Sequence, residues 1–472
     1  MAVFTWFVWF SPAAASAAGN PATFDLTILH TNDIHGHLLP FPYLERGRRT
    51  TEDPSRGGAA RRAVLIHRLE RSSKNPFILV DSGDIATRWA FCTTYEGLAD
   101  VTAMNAVGYQ VAAIGNNEFK LKDAVDQADS AGAQADLVRV VKRSSFPWVC
   151  ANATDGKGGI LPGVHPFVVK KVGPLRVGFL GLTAPRSASY PQTKGWIISD
   201  PIAAAKEWIP KARANCDVLI ALTHLGTPLD ALLAAQTTGI DAIVGGDSHT
   251  FLYEPLTIPN AQFQLVPIVQ DGEFGVDLGR FDLHFEQSGD GKWKLSKSHD
   301  ELLPIDSTLP EDAGVKKALG PFIAPFRQVV ARGIEVGTTA QERRRLTTQI
   351  VVDAMRSAAA ADVAMCPAGD GMFETFRSKT VTRYDVYCVM PFKDHMVTAI
   401  IPGTEIKSLM AGSPATVLSG LKSFDDARDY RVALVDFGAT NSYGLAANRL
   451  TDTGKDVREV VINYLRGLTN SR

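Results

Sequence analysis

Residues 26–38 read Leu-Thr-Ile-Leu-His-Thr-Asn-Asp-Ile-His-Gly-His-Leu. Leu26 to Leu29 form a short apolar run rich in strand formers, and the polar residues begin where it stops. Asp33, His35 and His37 therefore fall just past the end of a buried strand, where open α/β sheets collect their ligands. A carboxylate and an imidazole two residues apart at such an edge can grip one metal ion. Four later apolar runs end in the same chemistry: Asp81-Ser82-Gly83-Asp84, Gly115-Asn116-Asn117, Thr223-His224 and Gly246-Asp247-Ser248-His249. Each alone reads as a turn, because Asp and Asn bond nearby backbone and Gly supplies unusual backbone angles. A lone histidine such as His224 reads as structural. The recurrence after successive strands points instead to a metal site, with donors that suit Mn, Zn or Fe and a carboxylate able to bridge two ions.

Outward from this stretch, residues 24 to about 285 alternate apolar strands with helix-length segments. The strands read FDLTILH, PFILVDSGD, VAAIGNN, PWVCAN, LRVGFLGLT, DVLIALTH and DAIVGGDSH. Between them, Gly58 to Ser72, Tyr95 to Val107 and Pro201 to Asn215 read as helices, which implies a layered α/β domain. Val266 to Gln270 and Gly275 to Phe285 read as further strands closing a second sheet. The polar stretch from Gln287 to Pro310 reads as a boundary. A helical segment then runs from Pro310 toward Arg332, interrupted at Gly320-Pro321 and Pro325. A smaller domain follows from Gly333, with an amphipathic helix at Leu346 to Ala359, strands at Asp362 to Met365 and Val397 to Ile401, and a terminal helix from Lys455 to Leu468. The expected division is a leader at 1–23, a first domain at 24–286, a connecting segment at 287–332 and a second domain at 333–472.

The chain has 472 residues, 45% hydrophobic and 21% charged. That length fits two domains rather than one core. The formal net charge of -1 offers no attraction to a nucleic acid polymer or an anionic membrane, so an anionic substrate must be drawn by local charge. Val3 to Phe10 is apolar and aromatic, followed by the small-residue stretch AAASAAGN. This reads as a secretory leader and predicts export to a periplasmic or extracellular space. The run is too short to span a bilayer. Cys92, Cys150, Cys216, Cys366 and Cys388 are scattered with no C-x-x-C pair, so cysteine zinc sites are not expected.

The order TNDIHGH, DSGD, GNNEF, THLG, GGDSHT over Leu26 to about Thr250 resembles the metallophosphoesterase domain of the 5′-nucleotidase and UDP-sugar hydrolase family. TTQIVVDAMRSAAAADVAM and VTRYDVYCVMPFKDHMVTAIIPGTEIKSLM resemble that family's C-terminal substrate domain. The resemblance implies a four-layer α/β/β/α domain followed by a smaller α/β domain. It implies two divalent metal ions, with Asp33, His35 and His249 on the first, Asn116, His224 and Asp247 on the second, and Asp84 bridging them. Asp81 and His37 would orient these ligands. The implied activity is hydrolysis of a small-molecule phosphate ester, a nucleotide or related organophosphate, by hydroxide generated at the metals.

Three positions depart from the family pattern, and all lie at the chemistry. Where the family reads GNHEFD, this chain has Gly115-Asn116-Asn117-Glu118-Phe119-Lys120, so Asn117 and Lys120 occupy the catalytic His and Asp positions. Asn117 can donate a hydrogen bond but cannot carry a proton, a loss worth about 10²–10⁴ in rate where the leaving group needs one. Where the family reads GGHSH, Asp247 brings a hard oxygen donor, which favours Mn²⁺ over Zn²⁺ or Fe. In the second domain the family's phosphate-gripping arginine is absent near Cys366 to Gly371, although Arg377 lies a few residues on. Phe437 and Tyr443 are candidates to stack on a base, with core packing as the plainer reading of each. Arg56 is a candidate phosphate contact, with solvated surface as its plainer reading. These departures leave three alternatives open: hydrolysis of a phosphodiester or UDP-sugar, thiosulfohydrolase-like chemistry, or a catalytically quiet protein that binds metal or ligand.

Overall fold

The computed structural model describes residues 22–45, 51–87, 89–121 and 130–470. The expected leader, at 1–23, lies almost wholly outside them. Two sheets stack face to face in the first domain. One has seven strands in the order 293–304, 277–287, 23–31, 77–81, 111–113, 148–149, 164–165, and the other six in the order 256–259, 265–269, 242–244, 218–224, 175–183, 167–172. The period-2 alternation of β-structure decides which residue faces which layer. Leu26, Ile28, Ile78 and Val80 meet Val177, Phe179, Ile220 and Leu222 between the sheets. On the outer face of the first sheet, Leu29 and Leu79 pack with Ala63, Ile66 and Val140 of its covering helices. Leu180, Leu182 and Leu219 pack outward against Ala205, Ile209 and Leu233. The four layers are therefore α/β/β/α.

The central strands, Thr23–Thr31 with Phe77–Asp81 and Leu175–Thr183 with Val218–His224, pair in parallel. Their carboxyl ends thus point the same way, and all five polar motifs emerge along one edge.

Parts of the fold differ from the sequence reading. Asp277–Gln287 joins the first sheet, antiparallel to Thr23–Thr31, and not the second. The polar stretch after it is no linker at its start: Trp293–Pro304 is a strand that pairs with Asp277–Gln287. Its residues are half-exposed or exposed except Asp300, because an edge strand has one open side, and that polarity disguised it. The expected helix at Tyr95 to Val107 is two, Ala90–Tyr95 and Leu98–Val107, broken where Glu96 and Gly97 adopt left-handed angles.

The second domain has a five-stranded sheet in the order 416–420, 363–367, 429–435, 395–402, 451–456. Helices Ala340–Ala359 and Val457–Asn470 cover one face. The apolar cluster beneath them runs on without a break into the first domain, through Phe326 and Phe91. Trp89 donates its indole N–H to the Tyr384 hydroxyl at 3.1 Å across this seam. All five cysteines are buried.

Candidate metal centre

The first two loops are zipped together through their backbones. Asp33 N donates to Gly83 O at 3.0 Å, His35 N to Asp84 O at 2.9 Å and Gly36 N to Ile85 O at 2.9 Å. Gly83 makes this possible with a φ of +94°, and a Cβ there would lie 2.5 Å from Gly115 N. Glu118 fixes the third loop to the second by accepting from Asp84 N, Ile85 N and Gly115 N at 2.7–3.0 Å. Its residue is visible in the GNNEF motif, but the clamp is a three-dimensional fact that sequence reasoning missed.

This geometry requires backbone angles that side chains with a Cβ rarely adopt. Asp33, His35, Asp84, Asp247 and His249 all have φ between 48° and 82°. Left-handed angles cost about 1–3 kcal/mol each for non-glycine residues and collect where a site is over-determined by its surroundings.

The donor atoms converge as a result. One group consists of Asp33, His35 and His249, and another of Asp33, Asp84 and His224. Asp33 Oδ1 lies 3.2 Å from His249 Nε2, 3.5 Å from His35 Nε2 and 3.8 Å from His224 Nε2. Asp84 Oδ2 lies between the groups, 3.1 Å from His224 Nε2 and 3.8 Å from His35 Nε2. Asp247 Oδ1 is 3.4 Å from His224 Nε2. Asp33 Oδ1 and His224 Nε2 are buried and lack a hydrogen-bond partner of good geometry. Buried, converging lone pairs of this kind are what a divalent cation satisfies, so these residues fit the metal the motifs imply.

Two histidines have their other ring nitrogen committed. His224 Nδ1 lies 2.8 Å from Ser82 O, which sets Nδ1 as the donor and turns Nε2 inward. His249 Nδ1 lies 2.5 Å from Glu273 Oε2. Glu273 follows no recognisable motif and was not foreseen. Burial opposes charge on His249, but Asp33 and Glu273 outweigh it and lift its pKa to about 10. Burial also opposes charge on His224, and Asp84 and Asp33 raise it well above the usual imidazole value. Burial would raise Asp33 and Asp84, yet the surrounding imidazoles hold both below the usual carboxylate range. The centre is an electrostatic well for positive charge.

Asn117 donates its backbone N–H to Asp84 Oδ1 at 2.7 Å and its side-chain amide to Asp84 Oδ2. Lys120 sits over the Tyr190 ring, 4.1 Å from its centroid. Arg186, from the short turn Pro185–Ser189, reaches in from the second sheet. It donates to Asp247 Oδ2 at 2.7 Å, to Asn116 Oδ1 at 2.6 Å and again to Asp247 Oδ1. A solitary loop arginine carries no sequence signal, and Arg186 was not foreseen either.

Other candidates fall further off. Asp81 accepts from Thr31 Oγ1 and Gly83 N and shapes the loop, while burial lifts its pKa to about 7. His37 is stacked between Trp89 and Phe274, 4.2 Å from each ring centroid, with Nδ1 3.0 Å from Ile34 O. Burial drops its pKa to about 3, so it is a neutral packing element. Arg56 is corrected on both readings: it is buried and bonded to Asp277 at 2.6 Å, since its strand tucks against the hairpin that completes the first sheet.

The centre floors a cleft of about 900 Å³. The second domain contributes Phe373, Glu374 and Arg377 to its wall, and Arg377 pairs with Glu52 at 2.7 Å and Glu374 at 3.2 Å. Phe437 and Tyr443 do not line it. Phe437 is exposed, and Tyr443 is buried in the second domain's own core with its hydroxyl 3.1 Å from Thr416 Oγ1.

A four-layer α/β/β/α domain with carboxylate, imidazole and amide donors at its strand ends is a metallophosphoesterase domain, the class of metal-dependent ester hydrolases. Residues 26–251 match the calcineurin-like phosphoesterase family, and residues 329–422 match the 5′-nucleotidase C-terminal domain. The chain carries a metallophosphoesterase domain followed by a 5′-nucleotidase C-terminal domain, the two-domain arrangement of the 5′-nucleotidases it resembles. It is 31% identical to the 5′-nucleotidase of Bos taurus over 320 residues, 62% of this chain and 51% of that one. It is 28% identical over 437 residues to the trifunctional nucleotide phosphoesterase protein YfkN of Bacillus subtilis, covering 85% of this chain and 28% of that one. The chain thus spans about half the length of the bovine enzyme and less of the bacterial one. The crystal structure of a 5′-nucleotidase precursor from Thermus thermophilus superposes with a TM-score of 0.68 at 26% identity, covering 94% of this chain and 97% of that one.

Proposed function

We propose that this chain hydrolyses a small phosphate ester, a nucleotide or close relative, in the cleft between its two domains. The observation that carries this reading is the pair of donor groups sharing Asp33 on the floor of a cleft that both domains wall. Divalent ions held there would supply Lewis-acid polarisation of the phosphoryl group and a nucleophile at neutral pH. Asp33, His35 and His249 would hold one ion, and His224, Asn116 and Asp247 the other, with Asp84 between. Glu273 orients His249, and Ser82 O orients His224.

Asn117 lines the cleft with its side-chain amide bonded to Asp84, and it has no transferable proton. The chain therefore favours esters whose leaving group departs without one, such as aryl phosphates, activated diesters or anhydrides, over simple alkyl monoesters. Lys120 and Arg186 add positive charge at the same rim. Arg377 is partly neutralised by Glu52 and Glu374, so it grips a phosphate weakly. Phe373, exposed on the second domain's side of the cleft, is one aromatic surface that supports binding of a flat ring.

The test is turnover by purified protein with Mn²⁺ against nucleoside monophosphates, aryl monophosphates and bis-aryl diesters, beside Asp84→Asn. Metal-dependent turnover that falls more than about 100-fold in Asp84→Asn is expected. Absence of metal-dependent turnover of any ester would overturn the reading. The Asp247 oxygen favours Mn²⁺ over Zn²⁺, and metal content of protein purified without added ions checks this; stoichiometric zinc would reject it. The apolar leader at Val3 to Phe10 supports export, and no helix among the described residues is long and apolar enough to cross a membrane. N-terminal sequencing of exported protein would locate the processing point, and retention of the intact leader inside the cell would refute export.

A further inference from the structure

The two poles of the centre are not equivalent. Around Asp33, His35 and His249, the charged and imidazole partners are one another, His224, Asp84 and the Glu273 carboxylate, with no arginine or lysine paired among the described residues. Around Asn116, His224 and Asp247, a cation of the chain is already seated. The Arg186 guanidinium forks onto both Asp247 oxygens and also bonds Asn116 Oδ1 at 2.6 Å. This contact depends on the residue at 247, because an imidazole in that place could not pair bidentately with a guanidinium. Arg186 and Asp247 thus form one device contributed by two loops of the second sheet.

We propose that Arg186 is a resident cation of the second pole, so that the centre takes one divalent ion tightly and a second only weakly. The inference rests on the metal-dependent reading above. To enter, a second ion must share or displace the lone pairs of Asp247 and Asn116 that the guanidinium occupies, and must approach a fixed positive charge. At close range such repulsion easily exceeds a roughly tenfold effect on affinity. The Arg186 side chain is about half exposed and lines the cleft beside Asn117. Held there in the cleft lining, Arg186 serves as a phosphate-binding residue in the role otherwise left to the second ion.

The test is Mn²⁺ binding to metal-stripped protein, followed by titration calorimetry and by EPR, which distinguishes a lone Mn²⁺ from a coupled pair. Inorganic phosphate is the second probe. Wild type is expected to bind one Mn²⁺ tightly, with a second at least about 10-fold weaker, and to show the lone-ion spectrum at one equivalent. Arg186→Gln should bring the two affinities together and yield a coupled-pair spectrum. With one Mn²⁺ per chain, the same variant should bind phosphate at least about 10-fold less tightly, and Arg186→Lys should recover only part of that loss. Two equally tight ions in wild type, or an unchanged second step in Arg186→Gln, would overturn the proposal and leave the hydrolase reading standing. No Mn²⁺ binding by either protein would overturn both. Because Arg186 is half exposed, its replacement leaves the core intact, which near-UV circular dichroism verifies.

Discussion

Asp84 ties the metal centre to the third loop: its carboxylate faces His224 and His35 and accepts twice from Asn117. Restoring a proton carrier beside it is the sharpest residue-level experiment. Asn117→His combined with Lys120→Asp should raise turnover of alkyl monophosphates by about 10²–10⁴ and leave aryl phosphates little changed. A uniform effect on both substrates would show that the substituted pair moves no proton. Glu273→Gln should weaken metal binding by about 10–100-fold, because His249 loses the carboxylate that turns Nε2 inward; a metal titration reads this directly. At this scale the sequence was legible where a residue belongs to a motif. Asp33, His35, Asp84, Asn116, His224, Asp247 and His249 stand in short strings after apolar runs, and the fold brings all of them together. Glu273 and Arg186 stand in no string, and only the assembly of the second sheet puts them near His249 and Asp247.

The elements that present these residues are joined by backbone, and that is where they are vulnerable. Gly83→Ala would force a Cβ against Gly115 N and out of a left-handed φ, so the zipper between the first two loops should open. Loss of metal affinity together with a lowered melting temperature is expected. A second element-level prediction concerns Asp100, in the first turn of helix Leu98–Val107. It is buried, neither carboxyl oxygen has a hydrogen-bond partner, and burial raises its pKa to about 7. The unfolded carboxyl ionises near pH ~4 while the folded one stays protonated to about pH 7. Stability therefore falls as pH rises through that window and stays on a lower plateau above it. Asp100→Asn should be stabilising at about pH 8 and near neutral below about pH 4, as thermal melts at the two pH values would show. Elements were readable from period-2 and helical patterning wherever both faces are covered. The strand Trp293–Pro304 was not, because an edge strand exposed to solvent has the composition of a loop.

The molecule as a whole is held together at the centre from two directions. Asp33, His35 and Asp84 come from loops of the first sheet, and His224, Asp247 and His249 from loops of the second. An ion bound by both would cross-link the stacked sheets, so stripping with a chelator should lower the melting temperature and added Mn²⁺ should restore it in proportion to its concentration. A melting temperature indifferent to metal would mean that the ligands do not act across the sheets. The left-handed backbone at five of the donor-bearing residues adds a consequence for how this protein fails. The loops are kept in costly conformations by their mutual hydrogen bonds and the packed layers on either side, so they have a cheaper geometry to fall into as soon as that confinement slackens. On warming, or in variants weakened far from the cleft, the metal grip should disappear some degrees before the far-ultraviolet signature of the sheets does. Mutational damage to this protein would then register first as lost cofactor and only later as lost fold.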